Sequence, residues 1–341
     1  MDIKQIKPKR ILYYQPYNIG DVVLSTPLIR ALKNAYPEAT IDIMVLPKTA
    51  GIAKCIPHIN QVIVYNKDGD QKLKGLWQLG CYLRKQHYDL AITTSHSTRS
   101  ALVTWLSGAR YRIGSPLQGG FLFLTHPVRE EMQLKHQSEV FLEFLKPLGI
   151  ENQDSRLELH VNPEDIQNIR RKLSLTSDRP ILVVSPFGKV TPTKNWAFDN
   201  CSKFLKMAAS QGDLYLIGAK IDQPELEKIN SLARGVAQVL GGILSLGELV
   251  ALIKIANVVV TVDAGPLHIG NAVNTPVVAL WGPSVLGIWG PRGNKDIIIR
   301  HQLDCQPCQK YKTCMDTQCM KSIQAEEVYA AVTKILQNSA R

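Results

Sequence analysis

The chain has 341 residues and a mass of 38.0 kDa, enough for about two domains of ordinary size. A content of 45% hydrophobic and 20% charged residues excludes a disordered chain, a collagen, a coiled coil or a small disulfide scaffold. Forty Lys and Arg against 29 Asp and Glu leave a net charge of +11, which favours acidic partners such as nucleotides, phosphorylated glycans or anionic lipid.

The first ten residues are basic, but the apolar run behind them, Ile11–Tyr14, is too short for a signal-peptide core. Short β-branched runs then alternate with amphipathic stretches. Arg10–Tyr14, Thr40–Leu46, Gln61–Tyr65, Asp89–Thr93 and Arg112–Gly114 are predicted strands, and Val22–Ala35, Leu73–Gln86 and Ser100–Leu106 predicted helices. After a polar stretch around Glu151–Pro180 the rhythm restarts. Pro180–Ser185, Leu214–Gly218, Val236–Leu240, Val258–Val262 and Val277–Leu280 are predicted strands. Phe198–Gln211, Gln223–Ala233, Leu246–Ile255, Leu267–Val273 and Ala325–Leu336 are predicted helices. Strands separated by 10–15-residue helices imply parallel sheets covered on both faces. Two such series imply two doubly wound, Rossmann-like α/β domains facing a central cleft, with expected bounds 1–165 and 175–341. The longest apolar stretch, Leu249–Val262, is broken by Lys254 and Asn257 and is too short to span a bilayer, so a cytoplasmic protein is expected.

Ligands of open parallel sheets sit at the carboxyl ends of the strands. Behind the first strand come Asn18, Gly20 and Asp21, then Ser25-Thr26-Pro27. Gly20 permits a tight turn, and a helix is expected to begin at or near Asp21. Asp21 reads either as a helix-start acid, worth about 0.3–1 kcal/mol, or as a general base for an acceptor hydroxyl. Pro27 should interrupt the helix and free backbone carbonyls that Ser25 or Thr26 can satisfy. Behind the fourth strand, Thr93–Arg99 gathers hydroxyls, His96 and Arg99, a set suited to a sugar or anionic acceptor, or simply a solvated loop. In the second half, Val258–Val262 runs into Asp263-Ala264-Gly265-Pro266-Leu267-His268. A strand turning into a helix with Pro in its first turn leaves free N–H groups and a dipole for a diphosphate. Ser185–Trp196 is hydroxyl-rich, and Lys189 or Lys194 can neutralise a departing diphosphate. Asp222 and Glu225 are each either a ribose ligand or a helix-start acid. There is no G-x-G-x-x-G behind the first strand and no Walker A motif anywhere, which argues against dinucleotide binding there and against a P-loop NTPase.

Taken in order and spacing, Gly20–Pro27, Pro192–Trp196, Asp263–His268 and Trp281-Gly282-Pro283-Ser284 resemble the heptosyltransferase-type glycosyltransferases of lipopolysaccharide core synthesis, glycosyltransferase family 9. The resemblance covers nearly the whole chain. It implies a GT-B fold, an ADP-heptose donor, an anionic glycolipid acceptor, inversion at the anomeric carbon and no metal needed for catalysis. Asp21 resembles that family's catalytic base and Lys194 its phosphate-contacting lysine. Thr193, Asp222 or Glu225, and Asp263–His268 fall in donor-binding stretches; Asn18, Gly20, His96 and Arg99 fall on the acceptor side. Two departures stand out: Ala197 where Pro is frequent after the Trp, and Ala264 where a hydroxyl residue is common.

Four cysteines cluster as Cys305-x2-Cys308-x5-Cys314-x4-Cys319. Three readings stay open: a structural Zn²⁺ site, reduced thiols in a packed loop, and disulfides, which a cytosolic location disfavours. The rival functions are a family member using another nucleotide sugar and a non-catalytic two-domain nucleotide- or sugar-binding protein. The diffuse charge argues against nucleic acid. It suits a glycolipid acceptor and peripheral contact with the cytoplasmic face of an anionic inner membrane.

Overall fold

The computed structural model describes residues 3–66, 73–130, 135–175, 178–188, 192–306, 308 and 313–339. The chain divides into two compact units, Met1–Leu159 and His160–Arg341.

In the first unit the elements run β1 (Arg10–Gln15), α1 (Ile19–Leu24), α2 (Thr26–Ala35), β2 (Thr40–Val45), α3 (Ala50–Ala53) and β3 (Ile59–Val64). There follow α4 (Leu73–Arg84), β4 (Leu90–Thr93), α5 (Thr98–Leu106), β5 (Tyr111–Gly114), β6 (His126–Pro127) and α6 (Gln137–Glu143). The strands form one six-stranded parallel sheet in the order β3-β2-β1-β4-β5-β6. The second unit opens with α7 (Pro163–Lys172), β7 (Ile181–Ser185), α8 (Phe198–Ala208), β8 (Asp213–Leu216), α9 (Gln223–Leu232), β9 (Ala237–Val239) and α10 (Leu246–Ile255). It continues with β10 (Val258–Val262), α11 (Gly265–Ala272), β11 (Val277–Leu280), α12 (Leu286–Trp289), β12 (Ile297–Ile299), α13 (Gln318–Lys321) and α14 (Ala325–Ser339). Its sheet is again six-stranded and parallel, in the order β12-β11-β10-β7-β8-β9.

The two sheets share one topology. The first strand of each unit lies in the middle, and the winding reverses between β1 and β4 and between β7 and β10. Such a reversal splays two strand-end loops apart and leaves a crevice between them. Central strands are buried on both faces, as in the fully buried Val258–Val262, so they read as continuous apolar runs rather than alternating ones. Each unit has its own core. Tyr14, Tyr65, Leu83 and Val103 pack together in the first. Trp196, Phe204, Leu280 and Val332 do so in the second, where α14 packs against α8.

The structure refines the local readings. The first helix begins at Ile19, two residues before Asp21: Asn18 is the N-cap and Gly20 lies inside the first turn. The stretch expected as one helix, Val22–Ala35, is two, broken at Ser25 by Pro27. The freed carbonyls are satisfied as expected, Ser25 Oγ donating to Val22 O (2.7 Å) and Thr26 Oγ1 to Val23 O (2.9 Å). Strands β6 and β12 went unread because two and three residues carry no periodicity. The polar stretch between the two series holds α7, capped by Asn162 and anchored by the buried Ile169.

Candidate active site

In the first unit the loops behind β1 and β4 flank the topological reversal, and their side chains are tied together. Tyr13 OH lies 3.1 Å from Thr94 Oγ1, and Gln15 Nε2 donates to both hydroxyls at 3.1 Å. Gln15 Oε1 is buried with no hydrogen-bond partner among the described residues, an unusual state for a polar atom at a strand's carboxyl end. Tyr17 OH meets Ser95 Oγ at 3.0 Å, joining the two loops across 78 residues of sequence.

Asp21 sits half-buried at the third position of α1, where its Oδ2 accepts the Asn18 N–H at 3.0 Å. The helix-start reading is therefore realised. That hydrogen bond holds the carboxylate in one place, which a general base also requires. Asn18 is itself held, its Oδ1 accepting from Lys48 Nζ at 2.6 Å.

His96 and Arg99 also have fixed partners. His96 Nε2 lies 3.0 and 2.9 Å from the two oxygens of Glu130. That hydrogen bond raises the imidazole above its ordinary range, against the opposing effect of partial burial. Arg99 Nε donates to Tyr65 OH at 2.9 Å, with the guanidinium 5.6 Å from the tyrosine ring centroid.

In the second unit the loops behind β7 and β10 flank the matching reversal. Lys194 Nζ and Asp263 Oδ2 form a 2.5 Å ion pair between them, mostly shielded from solvent. The sequence explains why the lysine points there. The next residue, Asn195, accepts the Gly188 N–H at 2.9 Å, and the Trp196 N–H bonds to Pro186 O at 2.9 Å. The Trp196 ring is buried and its Nε1 donates to Ile323 O at 3.0 Å. The loop is thus clamped on both sides of Lys194. Gly188 permits its close approach, since a Cβ there would lie 3.1 Å from Lys194 Cβ. Lys189 lies outside the described residues.

Behind Asp263, α11 starts at Gly265 with Ala264 as an N-cap that offers no side-chain acceptor, and Pro266 follows in the first turn. His268 is buried, and its Nδ1 has no hydrogen-bond partner among the described residues. Burial pushes its imidazole down to about 4, with Asp263 opposing and Lys194 assisting. The Leu267 side chain is fully buried, so only its backbone is available to a ligand. Asp222 lies near the end of β8, where its Oδ2 accepts the Ala219 N–H at 2.7 Å. Glu225 is exposed in the first turn of α9. Trp281 Nε1 donates to Ser284 O at 2.8 Å, which shapes the turn behind β11.

Cys305, Cys308, Cys314 and Cys319 line one cavity of about 60 Å³ together with the buried Thr193. All are free thiols. Burial raises the Cys319 thiol, and the other three cysteines raise it further. Among the described residues no group of three or more His, Cys, Asp or Glu is arranged to hold a metal ion.

The model of glycosyltransferase family 9 (heptosyltransferase) matches residues 76–318. The chain belongs to glycosyltransferase family 9. Like the rest of the family it is a glycosyltransferase, and it has the GT-B fold. It is 29% identical over 305 residues to lipooligosaccharide heptosyltransferase 2 of Haemophilus influenzae, covering 85% of this chain and 88% of the relative. It is 28% identical over 305 residues to lipopolysaccharide heptosyltransferase 2 of Escherichia coli K12, with the same coverage. The solved structure of E. coli ADP-heptose lps heptosyltransferase II superposes with a TM-score of 0.84 at 23% identity, covering 97% of this chain and 100% of that one.

Sequence reasoning missed the partners that hold the site: Gln15, Tyr17, Lys48, Tyr65, Glu130 and Asn195. Asn195 lay inside the Pro192–Trp196 motif, with an Asx-type side chain beside a glycine loop as its signal, and Tyr17 lay beside Asn18. Gln15, Lys48, Tyr65 and Glu130 gave no local signal, because the groups they hold, Thr94, Asn18, Arg99 and His96, lie 30 to 79 residues away.

Proposed function

We propose that this family 9 enzyme transfers a heptose from ADP-heptose to a hydroxyl of a lipopolysaccharide inner-core acceptor, with inversion. One observation carries the donor half: the clamped Lys194–Asp263 pair beside the amino end of α11, with the buried His268 Nδ1 close by. A cation, the positive end of the α11 dipole and a buried ring nitrogen without a partner among the described residues suit a sugar diphosphate. The names of the relatives, lipopolysaccharide and lipooligosaccharide heptosyltransferases, support the acceptor.

In this reading Asp21 takes the proton of the acceptor hydroxyl. The oxygen attacks the anomeric carbon from the face opposite the nucleotide, and the bond to the diphosphate breaks as the new glycosidic bond forms. ADP leaves with its charge met by Lys194 and the α11 N–H groups. His96 and Arg99 bind the acceptor, and Asp222, at a strand's carboxyl end, is better placed for the ribose than the exposed Glu225. The acceptor is a glycolipid carried by a membrane, and no helix among the described residues is long and apolar enough to cross one. Ala264 favours a second reading with a different donor sugar, since the N-cap lacks the hydroxyl that a sugar or phosphate could use.

Calorimetric titration of ADP, UDP and GDP into the wild type and Lys194→Ala tests the donor half. Selective ADP binding, weakened at least tenfold in Lys194→Ala, supports it. A preference for UDP or GDP moves the donor to another sugar. No nucleotide binding at all overturns the reading.

A further inference from the structure

We propose that one face of the first unit docks on an anionic lipid bilayer. The face is built from the exposed side chains of α4 and α5 and the 3₁₀ turn Leu117–Leu122. It deepens the glycolipid reading above and rests on it only for the purpose of docking.

The observation is a cluster of large apolar side chains left in solvent. Leu117, Phe121 and Leu122 are 54, 59 and 71% exposed, Trp105 42% and Trp77 68%. Single exposed apolar residues are ordinary, but adjoining aromatic and aliphatic ones mark a surface that meets something. These adjoin. The turn packs on α5, and Phe123 directly after it lies 6.2 Å from the Trp105 ring centroid. Helix α4 packs on α5 at Gly80, where a Cβ would lie 3.3 Å from Leu106 Cδ2. Arg84 of α4 reaches over Trp105 at 5.9 Å, and Trp77 lies two turns before Arg84 on the same helix face.

The turn is held in place rather than frayed. Gln118 and Gly119 have φ of 52° and 82°, and the Thr98 hydroxyl donates to Gln118 O. A Cβ on Gly120 would lie 2.6 Å from Ser115 O, so the backbone is tightly seated there. Phe121 and Leu122 are projected into solvent by a fastened element. Thr98 opens the helix that carries Arg99, so the apolar turn adjoins the candidate acceptor loop.

Charge chooses the occupant. Residues 73–129 contain seven Lys and Arg against one acid, Asp89. That carboxylate is occupied by the backbone N–H groups of Lys9 and Arg10. Arg84 stacks on Trp105, and Arg112 Nε donates to Phe123 O at 2.7 Å, placing cations at the rim of the apolar face. Trp and Phe with Arg beside them, and no exposed acid among the described residues 73–130, where Asp89 and Glu130 are both partly buried, match the interface of an anionic membrane. A second copy of the chain would bring this basic face against itself across a two-fold axis, and like charge opposes that.

The test is co-sedimentation of the full-length protein with phosphatidylcholine vesicles and with vesicles containing 30% phosphatidylglycerol. The expected result is binding to the anionic vesicles alone, weakened by 0.5 M NaCl and at least tenfold weaker in the Phe121→Ser/Leu122→Ser variant. Both residues are exposed, so an unchanged melting temperature and unchanged ADP binding show that the variant is folded. Leu232→Ser/Ile243→Ser, which removes exposed apolar residues of the second unit, should bind like wild type. Equal vesicle binding by the Phe121→Ser/Leu122→Ser variant and wild type overturns the proposal. So does a wild-type dimer that this variant dissolves while vesicle binding persists. A transfer assay separates the two readings. The variant should use a water-soluble deacylated acceptor as wild type does and fail with the same acceptor embedded in vesicles. Patch-dependent vesicle binding with no transfer to either acceptor leaves the docking surface standing and removes the proposed donor and acceptor.

Discussion

Asp21 holds the start of α1, and in the proposed mechanism it is also the general base. Its Oδ2 accepts the Asn18 N–H, and that bond costs the side chain its rotational freedom before any substrate arrives. Asp21→Asn should therefore lower single-turnover transfer about 10²–10⁴-fold, the usual contribution of a general base, while ADP affinity stays at the wild-type value. Near-normal transfer in that variant would remove Asp21 from the chemistry. His268 predicts a pH dependence. Its buried imidazole is held neutral, with a folded pKa of about 4. The unfolded chain binds this proton near 6.5, so it carries more protons between pH 6.5 and 4. The stability His268 contributes is complete above pH 6.5 and is lost as pH falls toward 4, with a slope of at most about 1.4 kcal/mol per pH unit. Denaturation midpoints of wild type and His268→Gln across that window should converge at low pH. Parallel curves would refute it. His96 runs the other way: Glu130 raises it, so its contribution is full below pH 6.5 and fades as pH climbs through the raised value.

The elements carry the site by ending where they do. Helix α11 begins at Gly265 with an N-cap, Ala264, that leaves the first-turn N–H groups without a side-chain acceptor. Ala264→Ser should supply one and stabilise the protein by about 0.5–2 kcal/mol, read as a rise in urea midpoint. If a diphosphate uses those same N–H groups, ADP binding should weaken in the variant. A lower urea midpoint would show that Ala264 is not a cap position in solution. The α1–α2 break at Ser25 is legible from Pro27 alone, because a proline removes an N–H and crowds the carbonyl four residues back. The start of α1 was legible only to within two residues, because an Asn and an Asp three apart can cap a helix or decorate a loop, and spacing does not distinguish them.

At the scale of the molecule, two units each bury their own core and repeat one winding order. A ligand held wholly by the second unit should stabilise that unit. ADP at a hundredfold excess over its Kd should add about 2.7 kcal/mol to it. Scanning calorimetry should show the transition of the second unit moving up, and the Lys194→Ala shift should be smaller at the same ADP concentration. An ADP-independent trace would contradict donor binding at Lys194.

The residues by themselves determined the parallel sheets, the Pro27 break and the motif loops. These follow from burial periodicity and turn chemistry, which act over a few neighbours in the chain. Only tertiary structure decided that Lys194 meets Asp263, His96 meets Glu130 and Arg99 meets Tyr65, and that Gln15 and His268 each bury an atom without a partner among the described residues. It also decided that Phe121 and Leu122 stay in solvent although their composition reads as core. Winding order brings residues 34 to 69 apart into hydrogen-bond range. No local pattern encodes that, because a side chain's partner depends on which strand lies beside its own.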